Sequence, residues 1–469
     1  MGGPVVGLEV HLALRTETKL FCGCSLGGVD VAPNESVCPV CLGLPGTLPS
    51  LNERALDLAL TFALALGADV APAAVFDRKH YFYPDSPKNY QISQHASPVG
   101  TGGAVRLASG KIVRIAHAHL EEDAGRLVHP PYADHSLVDL SRAGTPLIEL
   151  VTEPDIATPE EAREFLEEVQ AIARATGVSD AAPEEGKLRA DVNVSVRGPQ
   201  GELGTKVEVK NLNSFRSVQT AISFETKRQS QLIQDGRAVV QETRGFNEGG
   251  QRTFTLRVKE GSEDYRYLPD PDLPAVPLTA RARQLAATLP ELPAARARRY
   301  ESLGLRPEEA RIVAYDVPMA ALFDEALALA PAHARALANW LTVEVVGLLS
   351  AEGRSLDQAR VPAAGLAALV VLVEEGKVSG RAAKALLPEV IAGSDPARLV
   401  AERGLEQVSD ESALQAVVDD VLAANPELVE RVRVNPKAVN ALLGEVMRAT
   451  RGTAKADLVR AMLAERLGA

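Results

Sequence analysis

An alternating pattern of apolar and polar residues predicts that the chain opens with a β-strand. Over residues 6–12, apolar side chains fall on one face, whereas Glu9 and His11 share the other. Successive side chains of a strand point to opposite faces of a sheet. The sequence therefore predicts a strand with one buried face and one polar face.

Two later strands are predicted to carry charges of both signs on one face. Alternation over 188–196 places Asp191 on a polar face, and a Gly-Pro-Gln-Gly turn leads to a second strand over 206–210. The polar face of that second strand carries Lys206, Glu208 and Lys210. Burying such a face is costly unless it is wet or lines a site. We therefore predict an α/β domain whose largely antiparallel sheet has a polar floor.

Helical periodicity replaces alternation elsewhere in the chain. Apolar residues recur at helical spacing over 158–176 and almost throughout the chain after Pro269. The change coincides with a cluster of prolines that no continuous helix could contain: Pro269, Pro271, Pro274 and Pro277. We predict an α/β domain over 1–290, an all-α helical domain over 291–407 and a small all-α tail domain over 408–469.

Composition and charge are those of a globular protein that does not bind nucleic acid broadly. Of 469 residues, 46% are hydrophobic and 24% charged, and the formal net charge is −12. An acidic net charge opposes non-specific binding to nucleic acid. No basic leader and apolar run opens the chain, and the longest apolar stretch, around 363–373, is too short to span a bilayer. These features predict a cytoplasmic protein without membrane contact.

The end of the chain reverses this charge. From residue 431 onwards there are eight basic residues and three acidic ones, a net charge of +5. A basic tail on an acidic body is typical of a protein that binds one particular nucleic acid. A solvated helical surface would carry the same charges, so both interpretations stay open.

All four cysteines lie within twenty residues, which predicts a metal site. Cys22 and Cys24 form a Cys-x-Cys pair, and Cys38 and Cys41 form a Cys-x-x-Cys pair. Two thiol pairs across a short loop can supply four sulfur ligands to a tetrahedral Zn²⁺. Four cysteines would close the coordination shell, so a structural zinc is favoured over a catalytic one. Free or redox-active thiols are the alternative.

Acidic residues near histidines are the best candidates for catalysis. The set comprises Glu9, His11, His119, the consecutive acids at 121–123, Glu149 and Asp191. Clustered carboxylates repel one another unless a cation or protons intervene, and their oxygens are ligands that Mg²⁺ prefers. The alternative is a set of salt bridges to Arg78, Lys79, Arg114 or Arg142.

One short segment concentrates aromatic and basic residues. Residues 76–90 interleave aromatic side chains with Arg78, Lys79 and His80, in a chain that is only 4% aromatic. Aromatic rings and cations together suit a nucleotide or the 3′ end of a nucleic acid, through stacking and phosphate contacts. A packed aromatic loop would show the same residues.

Several common motifs are absent from the sequence. The nearest approach to a Walker loop, Gly376-Lys377, is followed by valine. There is also no G-x-G-x-x-G after a strand, no G-x-S-x-G elbow and no serine- and glycine-rich loop of the amidase type. Any ATP must therefore bind without a Walker loop.

Whole segments resemble one family, the B subunits of the tRNA-dependent amidotransferase that makes Gln-tRNA(Gln) and Asn-tRNA(Asn). The segments are VGLEVH at 6–11, CPVCLGLPG at 38–46, RKHYFYPD at 78–85, HLEEDAG at 119–125, RAGTPLIE at 142–149, EEG at 184–186, KNLNSF at 210–215 and DYRY at 264–267. Their length and order make the resemblance specific.

The resemblance implies a cradle-like catalytic domain at the N-terminus, a helical domain, and a tail domain that grips tRNA. It implies a Mg²⁺-ATP-dependent carbon–nitrogen ligase that converts the carboxylate of Glu-tRNA(Gln) or Asp-tRNA(Asn) into an acyl phosphate, which ammonia then attacks. It implies a heterotrimer with an amidase-type partner, the A subunit, which releases ammonia from glutamine, and with a small C subunit. The non-discriminating aminoacyl-tRNA synthetase is a further candidate partner. A non-catalytic tRNA-binding scaffold in the same complex is the alternative.

The resemblance also carries roles over to particular residues. It implies a catalytic centre of Glu9, His11, Glu121 and Asp191. Ligands for Mg²⁺ are expected among Glu9, His11, Glu121, Glu122 and Glu149. Contacts to phosphate or to the tRNA 3′ end are expected from Lys79, Lys88, Lys206 and Lys210.

The sequence departs from the family pattern at a few positions. Ala190, Val192 and Ser141 stand where family members commonly have Cys, Ala and Asn. Asp191 and Asn193 are kept, so these changes do not put the chemistry in doubt. Some family members lack the four cysteines, which favours a structural zinc.

Overall fold

The computed structural model describes residues 3–26, 31–198, 200–212, 214–258, 265–407, 411–434, 438–450 and 453–467. The chain divides into two units between Leu292 and Pro293. The predicted tail boundary at residue 408, motif residues 213 and 264, and the basic tail residues Lys437 and Arg451 lie outside the described residues.

The first unit is built around a large sheet. In chain order, strands β1 to β17 are Pro4–Ala13, Asp69–Val70, Ala73–Ala74, Asp77–His80, Tyr90–Ser93, Gly100–Thr101, Ala104–Arg106, Ile112–Glu122, Arg126–Val128, Leu137–Asp139, Pro146–Thr152, Leu188–Val196, Val207–Leu212, Glu242–Asn247, Arg252–Val258, Leu268–Pro269 and Val276–Pro277. Over the described residues, ten of them form one sheet in the order β15-β14-β13-β12-β1-β11-β8-β6-β2, with β7 beside β8. Neighbouring strands are antiparallel except for the parallel pair β13 and β14.

The described part of this unit contains four α-helices. Helices α1 to α4 are Glu53–Ala65, Pro159–Ala175, Phe215–Gln234 and Thr279–Ala286. The side chains of Asn52, Thr158 and Ser214 cap the first three by accepting a backbone N–H of the first turn. Apolar faces of α1, α2 and α3 share one core with the apolar face of the sheet. The opposite face of the sheet is left for polar residues.

The alternation at the start of the chain has the predicted outcome. Leu8, Val10 and Leu12 of β1 are buried in the core, and Glu9 and His11 point to the opposite face. The predicted strand at 188–196 is confirmed as β12, and the predicted helix at 158–176 is confirmed as α2. Local periodicity therefore predicts these elements correctly.

The proline-rich segment belongs to the first unit. Its strand β16 pairs with β4, and its strand β17 pairs with β3. Helix α4 then packs against α1. The prolines do interrupt helical structure, as expected, but the two units separate only after Leu292.

The second unit is helical. Helices α5 to α17 are Pro293–Ser302, Pro307–Tyr315, Val317–Leu329, Ala334–Asn339, Val346–Ala351, Leu356–Ala359, Ala363–Glu374, Gly380–Ile391, Pro396–Arg403, Glu411–Ala424, Pro426–Val434, Val439–Ala449 and Ala456–Leu467, with a π-helical turn at Trp340–Val345. Helices α5–α13 enclose one apolar core, and α14–α17 enclose another. The predicted fold class, an α/β sheet domain followed by helical domains, is confirmed. Among the helices described, none is long and apolar enough to cross a membrane.

Truncation of Phe323 is expected to destabilise the second unit. Its ring is fully buried in α7 and packs edge-on against Tyr300 at a centroid distance of 4.7 Å. Phe323→Ala should lower the free energy of unfolding of this unit by about 3–5 kcal/mol, because it leaves a cavity. Denaturant unfolding followed by the fluorescence of Trp340, the only tryptophan, measures it.

The matched control is Leu329→Ala in the same helix. Leu329 is 60% exposed, so its truncation should change the free energy by no more than about 0.5 kcal/mol. Equal effects of the two substitutions would contradict the described packing.

Candidate functional site

A polar cavity lies on the sheet face opposite the apolar core. Its volume is about 580 Å³, and side chains of β1, β8, β11, β12 and β13 line it. The predicted site residues in its lining are Glu9, His11, Lys79, Glu121, Glu149, Asp191 and Lys210. Because side chains alternate along each strand, the residues between them point into the core.

Strand register explains why residues far apart in sequence meet here. His11 of β1 pairs with Glu149 of β11, and Glu149 pairs with His119 of β8. On the other side of β1, Glu9 pairs with Asp191 of β12. Directly paired residues point to the same face, with Cβ atoms about 4.5–5.5 Å apart. The sheet therefore gathers acids and imidazoles from separate segments into one place.

Three of these residues form a potential cation site, the His11 group: His11, Glu121 and Glu149. One ligand atom from each lies within 4.8 Å of the others. His11 Nδ1 is 3.1 Å from Glu121 Oε1 and 3.9 Å from Glu149 Oε2. His119 Nε2 lies 3.4 Å from Glu149 Oε2 and 3.8 Å from Glu121 Oε2. Two imidazoles thus hold two carboxylates together.

The charges of the His11 group depend on one another. Burial alone would raise the pKa of Glu121, but hydrogen bonds with His11 and His119 outweigh it and hold that pKa well below its usual range. Burial, with the nearby Glu121 charge, raises the pKa of Glu149. Burial alone would lower the pKa of His11, but the Glu121 hydrogen bond and neighbouring carboxylates raise it to about 9. Without a metal ion, the group therefore retains a proton on His11 at neutral pH.

A second potential cation site, the Glu9 group, comprises Glu9, Asp191 and Glu208. Lys210 Nζ lies 2.6 Å from Asp191 Oδ2 and 2.9 Å from Glu208 Oε1. Asn193 donates to Glu9 Oε1 at 2.9 Å. Burial alone would lower the pKa of Lys210, but the charges of Asp191 and Glu208 outweigh it and raise that pKa. The lysine ammonium thus neutralises part of this group.

The carboxylate oxygens of both groups suit a hard divalent cation. They match the ligands of Mg²⁺, which keeps several waters and needs few protein groups. The alternative salt bridges occur mostly elsewhere: Arg78 binds Asp270 and Asp272, and Arg114 binds Asp155. Arg142 does approach an acid of the predicted cluster, Asp123, at 3.4 Å.

Three predicted residues lie apart from the two groups. Lys88 Nζ forms an ion pair with Glu122 Oε1 in a smaller adjoining pocket, where the amide of Ile92 also donates to Glu122 at 2.9 Å. Lys206 precedes β13 and is exposed. The roles expected for these three residues on metal or phosphate stay predictions.

Sequence reasoning missed Glu208 as a member of the site and named His119 only among the histidines near acidic residues. Glu208 lies on the polar face predicted for its strand, yet only the register with β12 brings it near Glu9. His119 stands beside three acids in the sequence, but its contact with Glu149 depends on the pairing of β8 with β11. The usable signal was position on a polar strand face.

The aromatic and basic segment divides between packing and exposure. Phe76 is buried in the core, whereas Phe82 and Tyr83 are 78% and 61% exposed. Lys79 lines the polar cavity, with its Nζ 4.9 Å from the ring centroid of Tyr265. The packed-loop interpretation therefore holds for the start of the segment, while its later part leaves aromatic surface exposed.

The four cysteines come together as predicted. Their Sγ atoms all lie within 4.8 Å of one another. Hydrogen bonding from Cys22 lowers the pKa of Cys41 to about 4, and the same bond raises the pKa of Cys22. The fully buried Lys19 places its Nζ 3.6 Å from Cys41 Sγ. Four clustered sulfurs, one of them favoured as thiolate, are compatible with a structural metal site.

His11 of the cavity and His117 of β8 are expected to have widely separated pKa values. In buffer free of divalent cations, ¹³C NMR of labelled histidines should give His11 a pKa of about 9 and His117 a pKa of about 4. His11 holds its proton more tightly in the fold than at its ordinary pKa of 6.5. It therefore stabilises the fold fully below pH 6.5, and this contribution disappears as the pH rises through about 9.

Glu121→Gln is the discriminating variant. It removes the carboxylate bonded to His11 and should therefore lower the pKa of His11. A His11 pKa that stays near 9 in this variant would contradict the described geometry.

Comparison with known proteins assigns the chain to a family. Residues 4–284 match the family model described as the GatB/GatE catalytic domain, and residues 321–467 match the one described as the GatB domain. The chain is 53% identical to the aspartyl/glutamyl-tRNA(Asn/Gln) amidotransferase B subunit of Thermus thermophilus, over 99% of each chain. Proteins of the same name from Deinococcus radiodurans and Carboxydothermus hydrogenoformans are 50% and 45% identical, over 99% of this chain and 99% and 98% of theirs. The chain therefore belongs to the family of aspartyl/glutamyl-tRNA(Asn/Gln) amidotransferase B subunits.

Proposed function

We propose that the protein is the component of a tRNA-dependent amidotransferase that activates and amidates the side-chain carboxylate of Glu-tRNA(Gln), Asp-tRNA(Asn) or both. The observation that carries the proposal is that the His11 group and the Glu9 group lie in one cavity. The relatives of the chain are named aspartyl/glutamyl-tRNA(Asn/Gln) amidotransferase B subunits. ATP is a substrate and Mg²⁺ the cofactor. The reaction is that of a carbon–nitrogen ligase with glutamine as amido donor.

The chemistry needs two steps because a carboxylate is a poor electrophile. Its oxygen first takes the γ-phosphoryl group of ATP, which forms an acyl phosphate and ADP. Ammonia then attacks the acyl carbon, and phosphate leaves with the electrons of the broken C–O bond. Mg²⁺, when bound, neutralises negative charge on the phosphoryl group during transfer. The protein has to stabilise the negative charge of the phosphoryl group, align the substrates and exclude water.

The residues of the His11 group and of the Glu9 group support different roles. We assign His11, Glu121 and Glu149 to Mg²⁺, because one donor atom of each lies within 4.8 Å of the others. Glu9, from the neighbouring Glu9 group in the same cavity, is assigned to Mg²⁺ as well. Asp191 lies beside Glu9 and binds Lys210, and we assign it to orienting that lysine. Lys210 and Lys79 line the same cavity as cations and are assigned to phosphate oxygens. His119 holds the two buried glutamates in position.

The family implies the partners. They are an amidase-type A subunit that releases ammonia from glutamine and a small C subunit, and the sequence of this chain, which carries no amidase or glutaminase signature, agrees with that division of labour. We assign tRNA to the tail. Among its described basic residues, Arg431 and Arg460 are exposed, whereas Arg466 binds Asp419 at 3.0 Å. A basic surface there would contact phosphates.

We also propose that the four cysteines hold a structural Zn²⁺. The four sulfurs are close enough to share one ion, and the buried Lys19 places a positive charge beside them. That charge offsets part of the negative charge that four thiolates around one Zn²⁺ would carry. The segment lies directly after β1, so the metal would fix the loop that follows the strand of Glu9 and His11.

Amidation by the assembled complex tests the main proposal. With the two partner subunits, ATP, Mg²⁺, glutamine and misacylated tRNA, Glu9→Gln and Glu121→Gln should each reduce amide formation by about 100-fold or more, since each removes charge from the cation site. Glu35→Gln, at an exposed acid, is the matched control and should keep full activity. Glutaminase activity and co-purification confirm assembly. Testing both misacylated tRNAs identifies the substrate.

The scaffold alternative makes the opposite prediction. It requires that Glu9→Gln and Glu121→Gln leave amidation intact while deletion of residues 408–469 abolishes it. A wild-type complex that cleaves no ATP in the complete mixture would overturn the kinase step.

Metal removal tests the zinc proposal. Metal analysis should find about one zinc per chain, and a thiol-preferring chelator should lower the unfolding temperature before it affects ATP cleavage in excess Mg²⁺. Cys41→Ser should reproduce the loss of stability, and added Zn²⁺ should restore only the wild type. Loss of ATP cleavage with an unchanged unfolding temperature would show a catalytic metal instead.

A further inference from the structure

The sheet face that forms the floor of the cavity extends as far as strand β15. Among the described strands, β15 ends the sheet on this side. Phe254, the third residue of this strand, is 45% exposed. Its ring therefore presents apolar surface to solvent.

Register places Phe254 on the same face as the cavity. Lys210 of β13 pairs with Gly245 of β14, and Gly245 pairs with Phe254 of β15. Paired residues share a face, and Lys210 lines the cavity. Two strand spacings of about 4.8 Å put Phe254 roughly 10 Å from Lys210 along this row. The ring of Phe254 therefore lies close to Lys210, the lysine predicted to contact phosphate.

Gly245 lets the ring lean across the sheet. A Cβ atom at Gly245 would lie only 2.5 Å from Cζ of Phe254 and 2.9 Å from its Cε1. The far end of the ring thus lies over the glycine backbone, inclined from the sheet edge towards Lys210. One side of the ring covers β14, and the other remains open.

A buried network of hydrogen bonds and ion pairs on the opposite sheet face fixes strand β15, which carries the ring. On the opposite face, Arg244 donates to Thr253 Oγ1 at 2.8 Å and to Glu242 Oε1 at 2.7 Å, and it lies 3.1 Å from Glu225. These groups are buried, so the network is shielded from water. The edge strand is therefore a rigid support for a ligand.

A neighbouring row adds positive charge. Glu208 pairs with Thr243, and Thr243 pairs with Arg257, which is exposed on β15. Thr243 also donates to Glu208 Oε2 at 2.9 Å, which confirms that this row faces the cavity. An open aromatic ring with an arginine beside it and a lysine beyond it matches the base, sugar and phosphates of a nucleotide.

We infer that Phe254 is the stacking surface for the adenine base of ATP, with the triphosphate directed along the Lys210–Gly245–Phe254 row into the cavity. The inference rests on the proposed function, because it requires ATP as a substrate. ATP is the proposed occupant because it carries a triphosphate that can extend over the roughly 10 Å between the ring and Lys210. The absence of a side chain at Gly245 makes room for the ring itself.

The test measures ATP use by the assembled complex. Stacking of a base on an aromatic ring is strong enough that Phe254→Ala should raise the KM for ATP about ten-fold. The KM for misacylated tRNA should stay unchanged. Phe254→Leu, which keeps an apolar cover over Gly245 but has no ring face, should show the same defect, and Phe254→Tyr should restore the KM. Inorganic tripolyphosphate should compete equally well against wild type and variants, because it contacts only the phosphate end.

The control is Leu203→Ala, at a 62% exposed apolar residue away from the sheet edge, which should leave both KM values unchanged. A raised KM for tRNA with an unchanged KM for ATP would assign the ring to the tRNA end and overturn the inference. Normal ATP use by both Phe254→Ala and Phe254→Leu would show that the ring only covers Gly245. Failure of the wild-type complex to bind or cleave ATP would instead remove the proposed function itself.

Discussion

Electrostatic repulsion among carboxylates is the constraint on which the first unit depends. Glu9, Glu121, Glu149, Asp191 and Glu208 come from five different strands and converge on one cavity. In the fold, imidazoles and a lysine ammonium lie between these acids and offset their charges. The apolar core behind the sheet supplies the free energy that keeps the acids together. A divalent cation would neutralise the same charges more completely, so the arrangement is prepared for one.

Much of the fold follows from local sequence patterns, whereas the site does not. Alternation in β1 and β12 predicts which side chains face the core, because that property depends only on the strand itself. The neighbours of each polar residue depend on register between strands separated by long stretches of chain. No local pattern states that His11 lies beside Glu149, or that Glu208 joins Glu9. The resemblance to a family compensated for this at His11, Glu121 and Glu149, but not at Glu208.

The cysteines and lysines also show how far sequence alone predicts side-chain contacts. The spacing of Cys22, Cys24, Cys38 and Cys41 predicts their clustering, since a loop so short brings its ends together readily. The ion pair between Lys88 and Glu122 could not be anticipated, because both residues look like free ligands in the sequence. Sequence reveals which groups are available for chemistry, whereas tertiary contacts decide which of them are already occupied.

The position of β1 has a consequence for biosynthesis. This strand is made first, yet it pairs with β11 and β12, which begin only at Pro146 and Leu188. During translation β1 can therefore pair on both sides only after residue 196 has left the ribosome. Such non-local pairing slows folding and leaves apolar surface open to aggregation or to chaperones. β1 joins its two partners in the middle of the sheet, so the polar floor of the cavity forms only after most of this unit has been synthesised.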